Sequence, residues 1–242
     1  MPSYTDRRNS RLKHEFERIQ SVRRPNSLID VYCADLSADE ASAYLGRGLS
    51  RQEFAQMIGR GLRGFLKPEE FVQKFPNQPP EKYLLIFNCV GLRQDSDGKI
   101  VETTNHAMEV IFNVDYPVKP PRFVWLTPIW HPNIYAPFIC NADLAFPISA
   151  TLDQIAVMTA RMVQYRHYNM DDPLAMTHNV VAWLKTQPES RFPIDSRDVL
   201  TGELPRAPLV MRRVGGFVEW VDGTPSESQT IMGDLIELMD SE

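Results

Sequence analysis

The stretch Trp130-His131-Pro132-Asn133-Ile134-Tyr135-Ala136-Pro137-Phe138-Ile139-Cys140 decides how the rest of this chain is read. It brings an imidazole, a carboxamide and a thiol within eleven residues, with Pro132 and Pro137 restricting the backbone between them. No other part of the sequence gathers polar groups so close to a cysteine. A thiol can carry an acyl group without a cofactor, and a fixed side-chain amide can steady the oxyanion that forms when the group moves. The bland reading makes Cys140 a buried structural cysteine. Three prolines at 132, 137 and 147 favour a rigid exposed loop instead.

Upstream, residues 115–123 form a proline-rich segment containing Pro117, Pro120 and Pro121, expected to cross in extended form. Four β-rich stretches precede or follow it, at 28–33, 83–92, 108–114 and 123–126. Alternating Met108, Val110, Phe112 and Val114 predict a half-buried strand, and Asp95-Ser96-Asp97-Gly98 marks a hairpin. A helix over 6–22 is predicted from Leu12, Phe16 and Ile19 on one stripe. Downstream, 151–165 reads as a helix with Leu152, Ile155, Ala156, Thr159, Met162 and Val163 on one face. Asp171-Asp172-Pro173-Leu174 is a turn before a helix over 175–184. Glycines and prolines set off 36–80 as a helical insertion, with helices at 38–45, 51–58 and 68–75. Beyond Pro188, a hairpin is expected at 209–214 and 217–221 about Gly215-Gly216, and a short acidic helix at 234–239. The fold class is α+β, with 1–187 as the principal domain, including the insertion, and 188–242 as a C-terminal extension.

The bulk numbers exclude several classes. A net charge of −5 argues against nucleic acid as a general partner. No apolar run reaches membrane-spanning length, and the polar start, 1–8, has no signal-like apolar core. Cys33, Cys89 and Cys140 are odd in number and widely spaced, which fits neither a disulfide framework nor a zinc site. Neither metal nor cofactor is expected, and a reducing cytoplasm suits the free thiols.

Four segments in order resemble the ubiquitin-conjugating enzyme family. They are Asp115-Tyr116-Pro117-Val118-Lys119-Pro120-Pro121-Arg122-Phe123, His131-Pro132-Asn133-Ile134, Ile139-Cys140 and Asp171-Asp172-Pro173-Leu174. With the first helix, the likeness covers about 6–35 and 81–185. It implies a four-stranded antiparallel meander sheet between an N-terminal helix and C-terminal helices. The chain departs from the family pattern in three ways. Cys140 lies nine positions after His131, one fewer than usual; the glycine usual before the cysteine is missing; and Phe146 replaces a usual tryptophan. These departures mark a divergent member, by analogy one of a bacterial ubiquitin-like conjugation system.

The resemblance implies that Cys140 takes the C-terminal acyl group of a ubiquitin-like protein from an adenylating activating enzyme and passes it to a target lysine. The basic helix over 6–24 would dock the activating enzyme; a solvated face is the plain alternative. Free lysine has a pKa near ~10.4, so only about one molecule in a few thousand is neutral at pH 7. Asp172 and Asp143 are candidates to accept its proton. Asn133 either donates to the oxyanion or holds its loop in shape. His131 is a structural residue in the resembled family, and Asp171 is read as a cap for the following helix. Two rivals stay open. One is a binding module that holds a ubiquitin-like protein without a thioester. The other is a cysteine hydrolase pairing Cys140 with His131, His167 or His178.

Overall fold

The structure is a computed structural model describing residues 3–37, 40, 46–140, 150–171, 175–214 and 216–223. Helix α1, Tyr4–Ile19, starts at a capping box in which Ser3 and Asp6 satisfy each other's backbone N–H. Its stripe, Leu12 and Ile19 with Phe16 beside them, joins the main core. Glu15 lies on the same stripe and is 1% exposed. Its carboxylate accepts from the Tyr116 hydroxyl at 2.7 Å and the Leu152 N–H at 2.6 Å, and pairs with Arg11 at 2.7 Å. One buried acid thus ties α1 to the proline-rich segment and to the start of the next long helix.

The main sheet has five strands rather than the expected four. Strands β1 (Ile29–Ala34), β3 (Lys82–Phe87), β6 (His106–Ile111) and β7 (Arg122–Trp125) are antiparallel neighbours in that order. On the outer edge of β1 lies β2 (Phe65–Leu66), antiparallel, with Leu66 opposite Cys33. The insertion is therefore not purely helical. It holds α2 (Arg51–Gly59), β2 and α3 (Pro68–Lys74); the helix expected over 38–45 lies outside the described residues, Glu40 apart. Strands β4 (Gly91–Gln94) and β5 (Ile100–Thr103) form a separate hairpin about Asp95–Gly98.

Expected half-buried, β6 is buried along its whole length. Met108 and Val110 face the core made by α1 and α4 (Leu152–Val163). Ala107 and Ile111 pack with Phe54 and Met57 of α2, which covers the opposite face. The alternation is correct in period, but two apolar layers meet it. Close approach of the insertion depends on Gly48, where a Cβ would lie 2.5 Å from a methyl of Val124.

Beneath the insertion, Lys82 pairs with Glu109 at 2.7 Å, and Glu109 also accepts the Leu49 N–H at 2.9 Å. Burial pushes the Glu109 carboxyl up, against the pull of Lys82. Lys82→Met would leave that acid buried without its cation and is expected to cost about 3–5 kcal/mol in urea unfolding. Lys82→Met/Glu109→Gln, which keeps an acceptor for Leu49, is expected to recover most of the loss.

The proline-rich segment folds as turns rather than crossing extended. Tyr116 N–H donates to the Asn113 carbonyl and Lys119 N–H to that of Asp115, both at 3.0 Å. Burial of the Tyr116 ring and its bond to Glu15 draw the chain inward. After α4 comes β10 (His167–Asn169), and helix α5 (His178–Leu184) begins three residues later than expected. The N–H groups of Ala175 and Met176 go to Asp171 and Pro132 instead. Strands β11 (Leu209–Val214) and β12 (Phe217–Asp222) form a hairpin, and β12 pairs with β10 to give a second, three-stranded sheet. Val199 enters the main core and its carbonyl accepts from Leu28 N–H at 2.9 Å. The acidic helix expected at 234–239 lies outside the described residues. Among the described residues, no helix is long and apolar enough to cross a membrane.

Candidate functional site

Two short strands present the thiol. Strands β8 (Ile134–Tyr135) and β9 (Phe138–Ile139) pair across the Ala136-Pro137 turn, and Cys140 follows directly. The hairpin is fixed at its tip, where Pro137 carbonyl accepts the Trp125 N–H from β7 at 2.9 Å. It is fixed at its base too, where Cys140 N–H donates to the Asn133 carbonyl at 2.8 Å. Cys140 is half-buried, whereas Cys33 and Cys89 are fully enclosed. Beside it, Tyr135 and Phe138 form an exposed cross-strand aromatic pair.

Asn133 is 4% exposed, and both ends of its carboxamide engage one backbone unit. Its Nδ2 donates to the Asn169 carbonyl at 2.9 Å, and its Oδ1 accepts the Asn169 N–H at 2.8 Å. This geometry makes Asn133 a brace between the β8–β9 loop and β10. Asn169 in turn uses its own Oδ1 to accept the Asp171 N–H at 2.7 Å. Thr177 donates to the carbonyls of His131 and Pro132, at 2.8 and 3.1 Å, and the Tyr165 hydroxyl donates to the Trp130 carbonyl. The His-Pro-Asn segment is thus stapled to β10 and to the start of α5.

His131 is fully buried, and its Nδ1 accepts the Asn133 N–H at 3.1 Å. Burial holds its pKa down at about 3, so the ring is neutral and shapes the turn. His167 is buried against Phe217 with its pKa lowered to about 4, again by burial. Neither ring is poised as a base at neutral pH, which removes two of the three histidines a hydrolase could use; His178 is exposed at the start of α5. Asp171 does not cap a helix at Ala175, because its carbonyl takes the Ala175 N–H in a turn and α5 begins only at His178. Asp143 and Asp172 lie outside the described residues. Among the described residues, no group of three or more His, Cys, Asp or Glu side chains could hold a metal.

Asn169, Tyr165 and Thr177 were not expected to belong here. Of these only Asn169 had a legible signal, an Asn two residues before Asp171, as in a side-chain-closed turn. The basic helix looks different once folded. Arg8 grips Glu81 through two bonds of 3.0 and 2.8 Å, Arg11 serves Glu15, and Arg18 holds Asp153 at 2.8 Å. Arg23 pairs with Glu69 at 2.6 Å. Much of the helix's positive charge is therefore spent within the molecule.

The chain matches no family model. It is 32% identical over 90 residues to "Probable ubiquitin-conjugating enzyme E2 31" of Arabidopsis thaliana. That match covers 37% of this chain and spans 58% of the plant protein, less than two thirds of its length. The mixed α+β architecture with antiparallel sheets is compatible with such a fold, and this partial likeness supports a ubiquitin-conjugating-like relationship.

Proposed function

We propose that this chain carries a ubiquitin-like protein as a thioester on Cys140 and transfers it to an amine, usually a lysine, of a target. The Cys140 sulfur attacks the carbonyl carbon of the thioester held by an activating enzyme, and that enzyme's thiol leaves. The lysine nitrogen then attacks the same carbon, the new C–S bond breaks, and Cys140 departs as thiolate. The amine gives up a proton in that step, and Asp172 and Asp143 are the candidates to accept its hydrogen bonds or that proton. Asn133 serves the reaction through loop shape, and a carboxamide already spanning Asn169 offers less to an oxyanion than a free one would.

The observation that carries this reading is the placement of Cys140. It is the half-exposed thiol among three, at the end of a hairpin held at both ends by backbone bonds. Thioester exchange between thiols is nearly balanced in energy, so access and orientation are what the site must supply. The test is to mix the protein with its activating enzyme, ATP and the ubiquitin-like partner and run a non-reducing gel. The expected product is an adduct that disappears on adding thiol. Saturable binding without an adduct would replace this reading with a non-catalytic binding module.

A further inference from the structure

The β11–β12 hairpin reaches the candidate site from a distant part of the sequence. Its turn residue Gly216 has φ +86°, a backbone that side-chain-bearing residues rarely adopt. A Cβ at Gly216 would lie 2.7 Å from Asp171 Oδ2 and 3.3 Å from Asn169 Nδ2. The next residue, Phe217, pairs with Asn169, and its ring stacks on His167 with centroids 5.0 Å apart. Asn169 is the backbone unit on which the Asn133 carboxamide closes, and Asn133 holds the Cys140 N–H. A continuous series of contacts therefore runs from β12 through Asn169 and Asn133 to the backbone N–H of Cys140.

We infer that the β11–β12 hairpin is a positioning element of the site, with Gly216 and Phe217 as positioning residues that set Asn169 and Asp171 and, through Asn133, the backbone of Cys140. The acyl-transfer role assigned to that site rests on the proposed function; the mechanical coupling does not. Strand β10 has three residues and, among the described residues, pairs with β12 alone, so the hairpin supplies the sheet bonding seen for it.

The test is amide hydrogen exchange on the full chain, comparing wild type with Gly216→Ala. The expected result is exchange faster by at least about tenfold at the Asn169 and Cys140 amides, with Leu85 and Val110 in the central strands unchanged. An unchanged Cys140 amide overturns the inference, and so does equal acceleration everywhere. Gly216→Ala/Asp171→Ala removes the oxygen that the new methyl meets and is expected to restore part of the protection. If Gly216→Ala does not fold, Phe217→Ala is compared in its place, with the same two outcomes.

A second arm charges Cys140 chemically, by exchange with a Gly-Gly peptide thioester whose thiol leaves. Discharge to lysine is expected to slow severalfold in Gly216→Ala. Discharge to hydroxylamine, which is largely unprotonated at neutral pH, is expected to hold steady. Equal slowing with both nucleophiles assigns the effect to general loosening and overturns the positioning role. Failure of the wild type to take the peptide counts against the proposed function, while the exchange arm still judges the coupling.

Discussion

Iodoacetamide at neutral pH is expected to label one of the three cysteines in the folded chain, and Cys140→Ala is expected to abolish both that label and the thioester. Cys33 on β1 and Cys89 before β4 are 0% exposed. Burial pushes the Cys33 thiol up to about 12 and raises that of Cys89 as well. Only a thiolate alkylates, so at pH 7 Cys33 holds about one part in 10⁵ in reactive form even before steric exclusion. Cys140 is half-exposed on its hairpin and carries no such barrier of enclosure. Mass spectrometry should therefore find a single modification at residue 140, with the other two appearing only in denaturant. Cys140→Ser is expected to convert a thiol-labile adduct into an ester that survives reductant, because oxygen has replaced sulfur in the linkage. Rapid labelling of Cys33 or Cys89 in the native protein would show that the core is not closed as described. A thiol-labile adduct persisting in Cys140→Ala would move the chemistry to another sulfur.

The secondary structure of this chain was legible wherever local period and local chemistry agree. Helices α1 and α4 follow from apolar spacing, α2 from the glycines that bracket it, and the β4–β5 and β11–β12 turns from Asp-Gly and Gly-Gly steps. What sequence alone could not reach is set by partners far away. Strand β10 is three residues, His167-Tyr168-Asn169, and exists because β12 arrives some fifty positions later. Full burial of β6 comes from α2, which the alternation within β6 cannot report. The start of α5 shifts because Pro132 takes the Met176 N–H. At the candidate site, the thiol and the carboxamide could be named from sequence because both lie in one short stretch with Pro137 between them. Their supports, Asn169 and Gly216, could not, since each earns its role only through a contact made in the folded state. The arginines of α1 teach the converse lesson. Read as a row, with Arg23 beyond the end of the helix, they form a basic face, but Arg8 pairs with Glu81, Arg18 with Asp153 of α4 and Arg23 with Glu69 of α3.

The steepest stability change is expected on the acid side of neutrality, from three buried histidines. His106 and His131 are 0% exposed and His167 7%. Burial lowers their pKa values to about 4, about 3 and about 4 respectively, against about 6.5 in the unfolded chain. Between pH 6.5 and 4 the unfolded state therefore binds protons that the folded state refuses, so stability falls as pH falls. Three groups acting together give a slope approaching roughly 4 kcal/mol per pH unit near pH 5. The accumulated loss by pH 5 is about 6 kcal/mol, comparable with the whole stability of an ordinary domain. Glu109 opposes the trend, since its raised carboxyl favours the folded state on acidification, but it is one group against three. Asp195 adds to the loss at lower pH: although burial pushes it up, bonds from Arg197 and the Val90 N–H bring it below the ordinary carboxylate range. Urea titrations from pH 7.5 to 4.5 should show this slope. Among the described residues the His167 ring nitrogens have no hydrogen-bond partner, so His167→Phe keeps an aromatic ring beside Phe217 without orphaning another group. It is expected to remove about a third of the slope, by the loss of one of three titrating sites. A slope below that of a single proton in the wild type, or one untouched in His167→Phe, would mean that these rings protonate within the folded state and that the core around β10 admits water.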